Sequence, residues 1–209
     1  MAGVMYRFVR NLYGLFNVPY VPEEMLECPR PRVLHISDTP GSVYPFLFRL
    51  IDKLRPEYLI HTGDFLDEIK LENRPGQLVE YRPRLMKLLQ QLEAQPAGTI
   101  YLIPGNHDDL NAVEQSVTRS KILPEKSWIE IEETYFFVSH HYEPAEVGAD
   151  FFLFGHSLTP DHIRRDKTVI LNGIPAIHLI SLPAKQVFAL PYPSGTDSAR
   201  QQLLPKIGL

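Results

Sequence analysis

The sequence of 209 residues contains a single cysteine, Cys28, and no excess of basic residues. One cysteine excludes a disulfide within the chain and a cysteine-ligated zinc site, and it suits the reducing cytoplasm, where we expect the protein. Lys and Arg number 21 against 25 Asp and Glu, a formal net charge of −4. The composition therefore offers no general attraction for nucleic acid or anionic lipid, and we expect no nucleic-acid surface.

Long uninterrupted apolar runs are also missing, so no transmembrane segment is expected. Arg7 and Arg10 interrupt the apolar N-terminus, and no small-residue cleavage site follows, which argues against a signal peptide. Helical spacing instead predicts an amphipathic helix within residues 1–20, which docks on its own domain or across a homodimer; a membrane-surface helix is the alternative. Its apolar side carries Met5, Phe8, Val9, Leu12, Leu15 and Phe16.

The remaining composition is that of a globular domain, with 44% hydrophobic and 22% charged residues. We expect an N-terminal helix and Pro-rich linker over 1–31, one domain over 32–193 and a C-terminal surface tail over 194–209. A β-α-β opening is predicted, followed by a half dominated by strands. The predicted helices span 43–54, part of 77–95 and 109–118, and the predicted strands span 33–37, 57–62, 99–103, 128–131, 135–138, 151–154, 168–171, 176–181 and 186–190.

Polar side chains follow the predicted strands. Asp38, Asp64 and the pair Asn106-His107 come directly after the first three strands. In α/β sheets the carboxyl ends of parallel strands meet at one edge, where ligands bind. Two further strands end in His140-His141 and in His156. Carboxylates, an amide and imidazoles converging in this way indicate a site for a divalent transition metal.

These motifs, in this order, resemble the calcineurin-like metallophosphoesterase family. The resemblance covers about residues 32–190 and implies an α/β fold of four layers, α/β/β/α, with two mixed β-sheets face to face. It also implies hydrolysis of a phosphate ester of a small substrate, a phosphodiester or a phosphomonoester, with metal-activated water. The matching segments are Asp38 of a D-x-H motif, GDFLD at 63–67, GNHD at 105–108, SHH at 139–141 and GHS at 155–157.

The resemblance assigns a role to each residue. Asp64 is expected to bridge two metals, and Asn106, His140 and His156 to complete the second site. His107 is expected to face the leaving-group oxygen, with Asp108 orienting its ring, and Asp67 to contact the metal ligands. The implied ion is a divalent metal such as Mn²⁺, Fe²⁺, Zn²⁺ or Ni²⁺.

Two family histidines are absent, because Pro40 and Leu158 stand at their positions. Both belong to the first metal site, which keeps only Asp38 and Asp64, so we expect one strong site and a second that is weak or absent. Three interpretations follow: a working hydrolase, a catalytically weak or inactive scaffold like the metal-poor trafficking relatives, or a first site rebuilt by residues 161–162. The presence of His107 favours the enzyme.

The other histidines have less specific interpretations. His35 and His61 belong to buried strands and are expected to be neutral and hydrogen-bonded rather than ligands. His178 faces either the site or the sheet interior. His141 is an alternative to His140, because side chains alternate along a strand.

Overall fold

The computed structural model describes residues 18–143 and 148–200, so the N-terminal amphipathic helix predicted within 1–20 lies almost entirely outside the described residues. The α-helices are α1 Glu23–Glu27, α2 Tyr44–Leu54, α3 Leu78–Glu93, α4 Leu110–Ser116 and α5 Thr196–Ala199. The strands are β1 Arg32–Ile36, β2 Tyr58–His61, β3 Thr99–Leu102, β4 Lys121–Ile122, β5 Ser127–Ile131, β6 Thr134–Val138, β7 Phe151–Phe154, β8 Ile163–Arg165, β9 Thr168–Asn172, β10 Ile177–Ser181 and β11 Gln186–Leu190.

The strands form two mixed sheets. The first has the order β11-β10-β1-β2-β3-β4, in which β1 to β4 are parallel and β10 and β11 are antiparallel additions. The second has the order β5-β6-β7-β9-β8, with a parallel centre formed by β6, β7 and β9. The expected α/β fold with two mixed sheets is confirmed.

Burial on both faces of the first sheet explains its strong strand signal. Leu34 and Ile36 of β1 face a core shared with α2 and α3, whereas Val33 faces the second sheet. Phe136 and Leu153 of the second sheet meet Val33 in the same inter-sheet core. The opposite face of the second sheet is covered in part by the β6–β7 connection, where Tyr142 packs on buried Phe152.

The predicted elements correspond closely to the observed ones, including helix α3, which contains Pro83. Four of the short α-helices and strands were not predicted: α1, β4, β8 and α5. Each has five residues or fewer, too few for a hydrophobic period to be recognised. No helix among the described residues is long and apolar enough to cross a membrane.

The described part of the predicted C-terminal tail, residues 194–200, contacts the domain through two buried side chains. Thr196 and Arg200 are buried, and the Tyr192 hydroxyl accepts the Ser37 N–H at 3.2 Å and donates to the Gly173 carbonyl at 2.9 Å. Residues 192–200 therefore pack against the loop that follows β1.

Glu93 at the end of α3 joins this helix to the segment after α4. Its carboxylate accepts the backbone N–H groups of Thr118, Arg119 and Ser120 at 2.8–3.1 Å, and the Thr118 hydroxyl at 2.6 Å. Burial opposes ionisation, but these hydrogen bonds outweigh it and lower the pKa of Glu93 to about 2.

We predict that Glu93→Gln lowers the free energy of unfolding at pH 7 by about 2 kcal/mol, because charge-assisted hydrogen bonds are lost. The folded-state pKa lies below the ordinary value of 4.5, so this stabilisation is complete above that value and is lost as the pH falls toward 2. Urea unfolding at pH 7 and at pH 3 measures both effects, with the exposed Glu114→Gln as control. An equal difference from the wild type at the two pH values would contradict the prediction.

Candidate metal centre

The predicted site residues lie at one edge of the two sheets, each just after a strand. Asp38, Asp64 and Asn106 follow β1, β2 and β3, while His140 and His156 follow β6 and β7. Asp38, Asp64 and His156 have φ angles of 50°, 55° and 64°. Such left-handed backbone is costly for residues other than glycine, and it turns these side chains out of the strand alternation toward the edge.

Two glycines allow the loops to approach one another. A Cβ on Gly63, whose φ is 102°, would lie 2.5 Å from His140 Nδ1 and 2.7 Å from the Gly105 nitrogen. A Cβ on Gly105 would lie 2.7 Å from His140 Cε1 and would also collide with the Asp64 carboxylate. Positions 63 and 105 therefore require glycine, because the buried His140 ring fills the space between the two loops.

The His140 ring presents a lone pair to the site. Its Nδ1 lies 2.7 Å from the Thr62 carbonyl oxygen, which can only accept, so Nδ1 carries a proton and the ring directs Nε2 toward the site. That Nε2 lies 2.9 Å from Asn106 Oδ1, 3.3 Å from His156 Nδ1 and 3.6 Å from Asp64 Oδ2. The Asn106 amide is oriented by its Nδ2, which donates to Glu72 at 2.6 Å.

This arrangement fits a divalent ion. Four atoms that normally accept hydrogen bonds lie close together. They come from Asp64, Asn106, His140 and His156. Bonds of about 2.1 Å place neighbouring ligand atoms about 3.0–3.5 Å apart, close to the separations found here. Without a cation the lone pairs of these atoms repel one another, whereas a bound cation would be coordinated by them. The structure thus brings together the four side chains that the sequence assigned to one metal.

Asp38 lies beside this group. One of its oxygens can share a centre with oxygen and nitrogen atoms of Asp64 and His140, since their ligand atoms lie within 4.8 Å of one another. Its carboxylate also accepts the Ser37 hydroxyl at 2.5 Å and the His156 N–H at 3.1 Å.

Burial of several carboxylates raises the pKa of Asp64 well above its ordinary range. Desolvation is the main cause, and the charges of Asp38, Asp108 and Asp67 add to it. Desolvation, with the Asp38 charge, also raises the pKa of Asp67 to about 7, although Lys70 forms an ion pair with one Asp67 oxygen. The edge is therefore a region of uncompensated negative charge that favours a bound cation.

His107 lies at the mouth of the site. Its backbone N–H donates to Asp64 Oδ1 at 3.1 Å, its ring is largely buried, and Glu72 lies 3.9 Å from its Nδ1. Burial, reinforced by the Lys70 charge, lowers the pKa of His107 to about 4. The side chain is consequently a neutral imidazole at pH 7.

Asp108 does not orient the His107 ring, contrary to the expectation from the resemblance. Its two oxygens accept the backbone N–H groups of Asp64, Phe65 and Gly105 at 2.8–3.1 Å, and the hydroxyl of buried Tyr81 at 2.6 Å. Since these donors saturate the carboxylate, Asp108 fixes the two loops that carry Asp64 and Asn106.

The first metal position has no replacement imidazole among the described residues. Pro40 is buried, and Leu158 is 54% exposed and lines a pocket with residues 191–198. His162 Nε2 lies 3.4 Å from His178 Nε2 and not at Asp38, and Asp161 is exposed beside it. The interpretation in which residues 161–162 rebuild the first site is therefore not supported.

His35 and His178 form a hydrogen-bonded network on the inter-sheet side of the first sheet, whereas His61 lies on the side of α2. His35 contacts His178 and Thr62, and His61 contacts Thr39. Burial lowers the pKa of His35 and of His61 to about 3, so both are neutral as expected.

His141 is closer to the site than strand alternation suggests. Strand β6 ends at Val138, so the alternation no longer applies, and the His141 ring centroid lies 4.1 Å from that of His156. Its Nδ1 contacts Glu125 at 2.6 Å. The residue that sequence reasoning missed completely is Arg200, because it lies in the segment interpreted as a tail.

Residues 31–178 match the family model of the calcineurin-like phosphoesterases, and the chain belongs to this family. The fold resembles an archaeal phosphodiesterase at 17% identity, covering 77% of this chain and 99% of that one with a TM-score of 0.57. Two further structures are more distant. Yfce, a phosphoesterase from E. coli, has 17% identity, 77% and 99% coverage and a TM-score of 0.48, and zinc-bound Vps29 from Entamoeba histolytica has 14% identity, 75% and 88% coverage and a TM-score of 0.46. No curated protein matches the sequence.

We predict that Asp108→Asn weakens Mn²⁺ binding by about 10–100-fold, although Asp108 is not a ligand, because an amide NH₂ would face the N–H donors that hold the ligand loops. Tyr81→Phe removes only one of the four hydrogen bonds and should have a smaller effect. Calorimetric titration with Mn²⁺ measures both affinities. A folded Asp108→Asn variant with wild-type affinity would refute the positioning role.

Proposed function

We propose that this protein is a metal-dependent phosphoesterase that works with one tightly bound divalent ion held by Asp64, Asn106, His140 and His156. The observation that carries the proposal is the convergence of four acceptor atoms at the strand ends, with the His140 lone pair fixed by the Thr62 carbonyl. Membership of the calcineurin-like phosphoesterase family supports the same reaction class.

A divalent ion bound here would supply an activated water and would neutralise charge on the phosphoryl oxygens. The chain supplies the remaining groups. Asp64 and Asn106 are held by the loops that Asp108 connects, so they require little reorganisation. His107, at the mouth beside Asn106, donates an imidazole N–H to the leaving-group oxygen, where negative charge develops as the ester bond breaks.

The ion that we propose is Mn²⁺, with Fe²⁺, Zn²⁺ and Ni²⁺ as competitors, because a mixed set of carboxylate, amide and imidazole ligands accepts all of them. The substrate is a small phosphate ester. Paired assays with bis(p-nitrophenyl) phosphate and p-nitrophenyl phosphate distinguish a phosphodiester from a phosphomonoester preference.

We predict that protein purified without chelator and loaded with Mn²⁺ retains about one ion per chain after gel filtration. Asp64→Asn and His140→Ala should abolish retention, since each removes a buried ligand. His162→Gln is a control, because this exposed histidine contacts His178 outside the site. Elemental analysis gives the ion count. Two tightly held ions, or retention by His140→Ala, would contradict the one-ion site.

We also predict that His107→Gln lowers kcat for the preferred nitrophenyl ester by about 10²–10⁴-fold while the ion count stays at the wild-type value. A residue that only shaped the site would change metal retention as well. If wild type and His107→Gln both retain the ion and neither hydrolyses either ester, the chain is a metal-binding scaffold and the enzymatic proposal is wrong.

A further inference from the structure

Arg200 is a fully buried cation beside the loop that follows β1. Its Nε donates to the backbone oxygen of Asp38 at 2.7 Å, and its Nη1 donates to the Ile174 carbonyl at 2.8 Å and to Asp197 at 2.9 Å. The guanidinium carbon lies 4.5 Å from the centroid of the Tyr192 ring. Among the described residues, only Asp197, whose side chain is 82% exposed, forms an ion pair with it.

In the described part of the chain, the buried polar atoms without a hydrogen-bond partner include one of Arg200 and one of Asp67. The Nη2 atom of Arg200 and the Oδ2 atom of Asp67 are buried, and neither has a hydrogen-bond partner among the described residues. The Arg200 charge is close enough to Asp67 to lower its pKa, against the opposing effect of burial. The guanidinium is therefore part of the electrostatic environment of Asp38 and Asp67.

The first metal position has lost two of its ligands, although Asp38 and Asp64 remain. Both imidazoles that would bind an ion there are replaced, Pro40 is buried, and the Leu158 side chain lines a pocket on the side of residues 191–198. Asp38 also uses its oxygens to accept the Ser37 hydroxyl and the His156 N–H. The negative charge that a first ion would neutralise nevertheless remains.

We propose that Arg200, together with Lys70, supplies the positive charge that a first metal ion provides in a two-metal site, so that this chain works with one ion. One divalent ion with two cationic side chains carries the same formal charge as two divalent ions. Arginine suits this position because its guanidinium stays charged when buried and its fork satisfies several carbonyl groups at once. The inference rests on the proposed one-ion site.

The test is the number of ions bound by Arg200→Met. With this charge removed, Asp38, Asp64 and Asp67 should recruit a second Mn²⁺ at least about tenfold more tightly than the wild type does. Arg200→Lys, which keeps the charge, should bind one ion. Mn²⁺ titration followed by electron paramagnetic resonance measures the count, and coupling between two Mn²⁺ ions reports that they are close together.

Arg32→Met is the matched control. Arg32 is also buried and donates to three backbone carbonyls, those of Met25, Leu26 and Leu54, but it lies at the opposite end of β1, about 20 Å from the site. Its substitution should lower stability and leave the ion count at one. An Arg200→Met variant that folds and binds one ion as the wild type does would overturn the inference. A wild type that binds no ion would instead overturn the proposed function.

If Arg200→Met is too unstable for metal titration, its free energy of unfolding can be measured with urea in the presence of chelator. Asp67→Asn removes a buried charge that Arg200 and Lys70 compensate. Asp67→Asn should therefore change the free energy of unfolding more favourably in the Arg200→Met variant than in the wild type. A double-mutant cycle measures this coupling. Additive effects of the two substitutions would show that Arg200 is only a structural anchor.

Discussion

Compensation of buried negative charge is the constraint on which this edge of the protein depends. Four aspartates lie there, and each carboxylate meets a different set of partners. Asp108 accepts three backbone N–H groups and a tyrosine hydroxyl, Asp38 accepts a hydroxyl and an amide, and Asp67 pairs with a lysine. Asp64 accepts one backbone N–H, from His107, and faces lone pairs of other side chains. Its charge requires a cation or a proton, and the neighbouring nitrogen and oxygen atoms favour a metal cation.

The order of strands and helices could be predicted from the sequence because burial leaves a strong pattern. Strands β1, β2 and β7 are buried on both faces and appear as short, mostly apolar runs. The position of the site follows from the same pattern, since Asp38, Asp64 and His156 come directly after such runs. Short elements such as β4 and α5 bury few side chains and leave no comparable signal.

Other features of the site could not be predicted because they depend on contacts between distant residues. The partners of Asp108 include Tyr81, which lies 27 residues away in α3. The approach of His141 to His156 depends on where β6 ends, and motif spacing does not specify this. Arg200 reaches Asp38 across 162 residues of sequence, and an arginine after a Pro- and Ser-rich stretch is ordinarily solvated.

The two sheets must remain packed for the ligands to meet. Asp64 and Asn106 come from the first sheet, whereas His140 and His156 come from the second, and the inter-sheet core that includes Val33 lies behind them. The His140–Thr62 hydrogen bond joins the sheets at the site itself. A core substitution that shifted one sheet against the other by about 1 Å would therefore disturb the ligand geometry before it unfolded the domain. Residues 192–200 pack against the loop that carries Asp38, so a substitution there would reach the ligands through the same geometry.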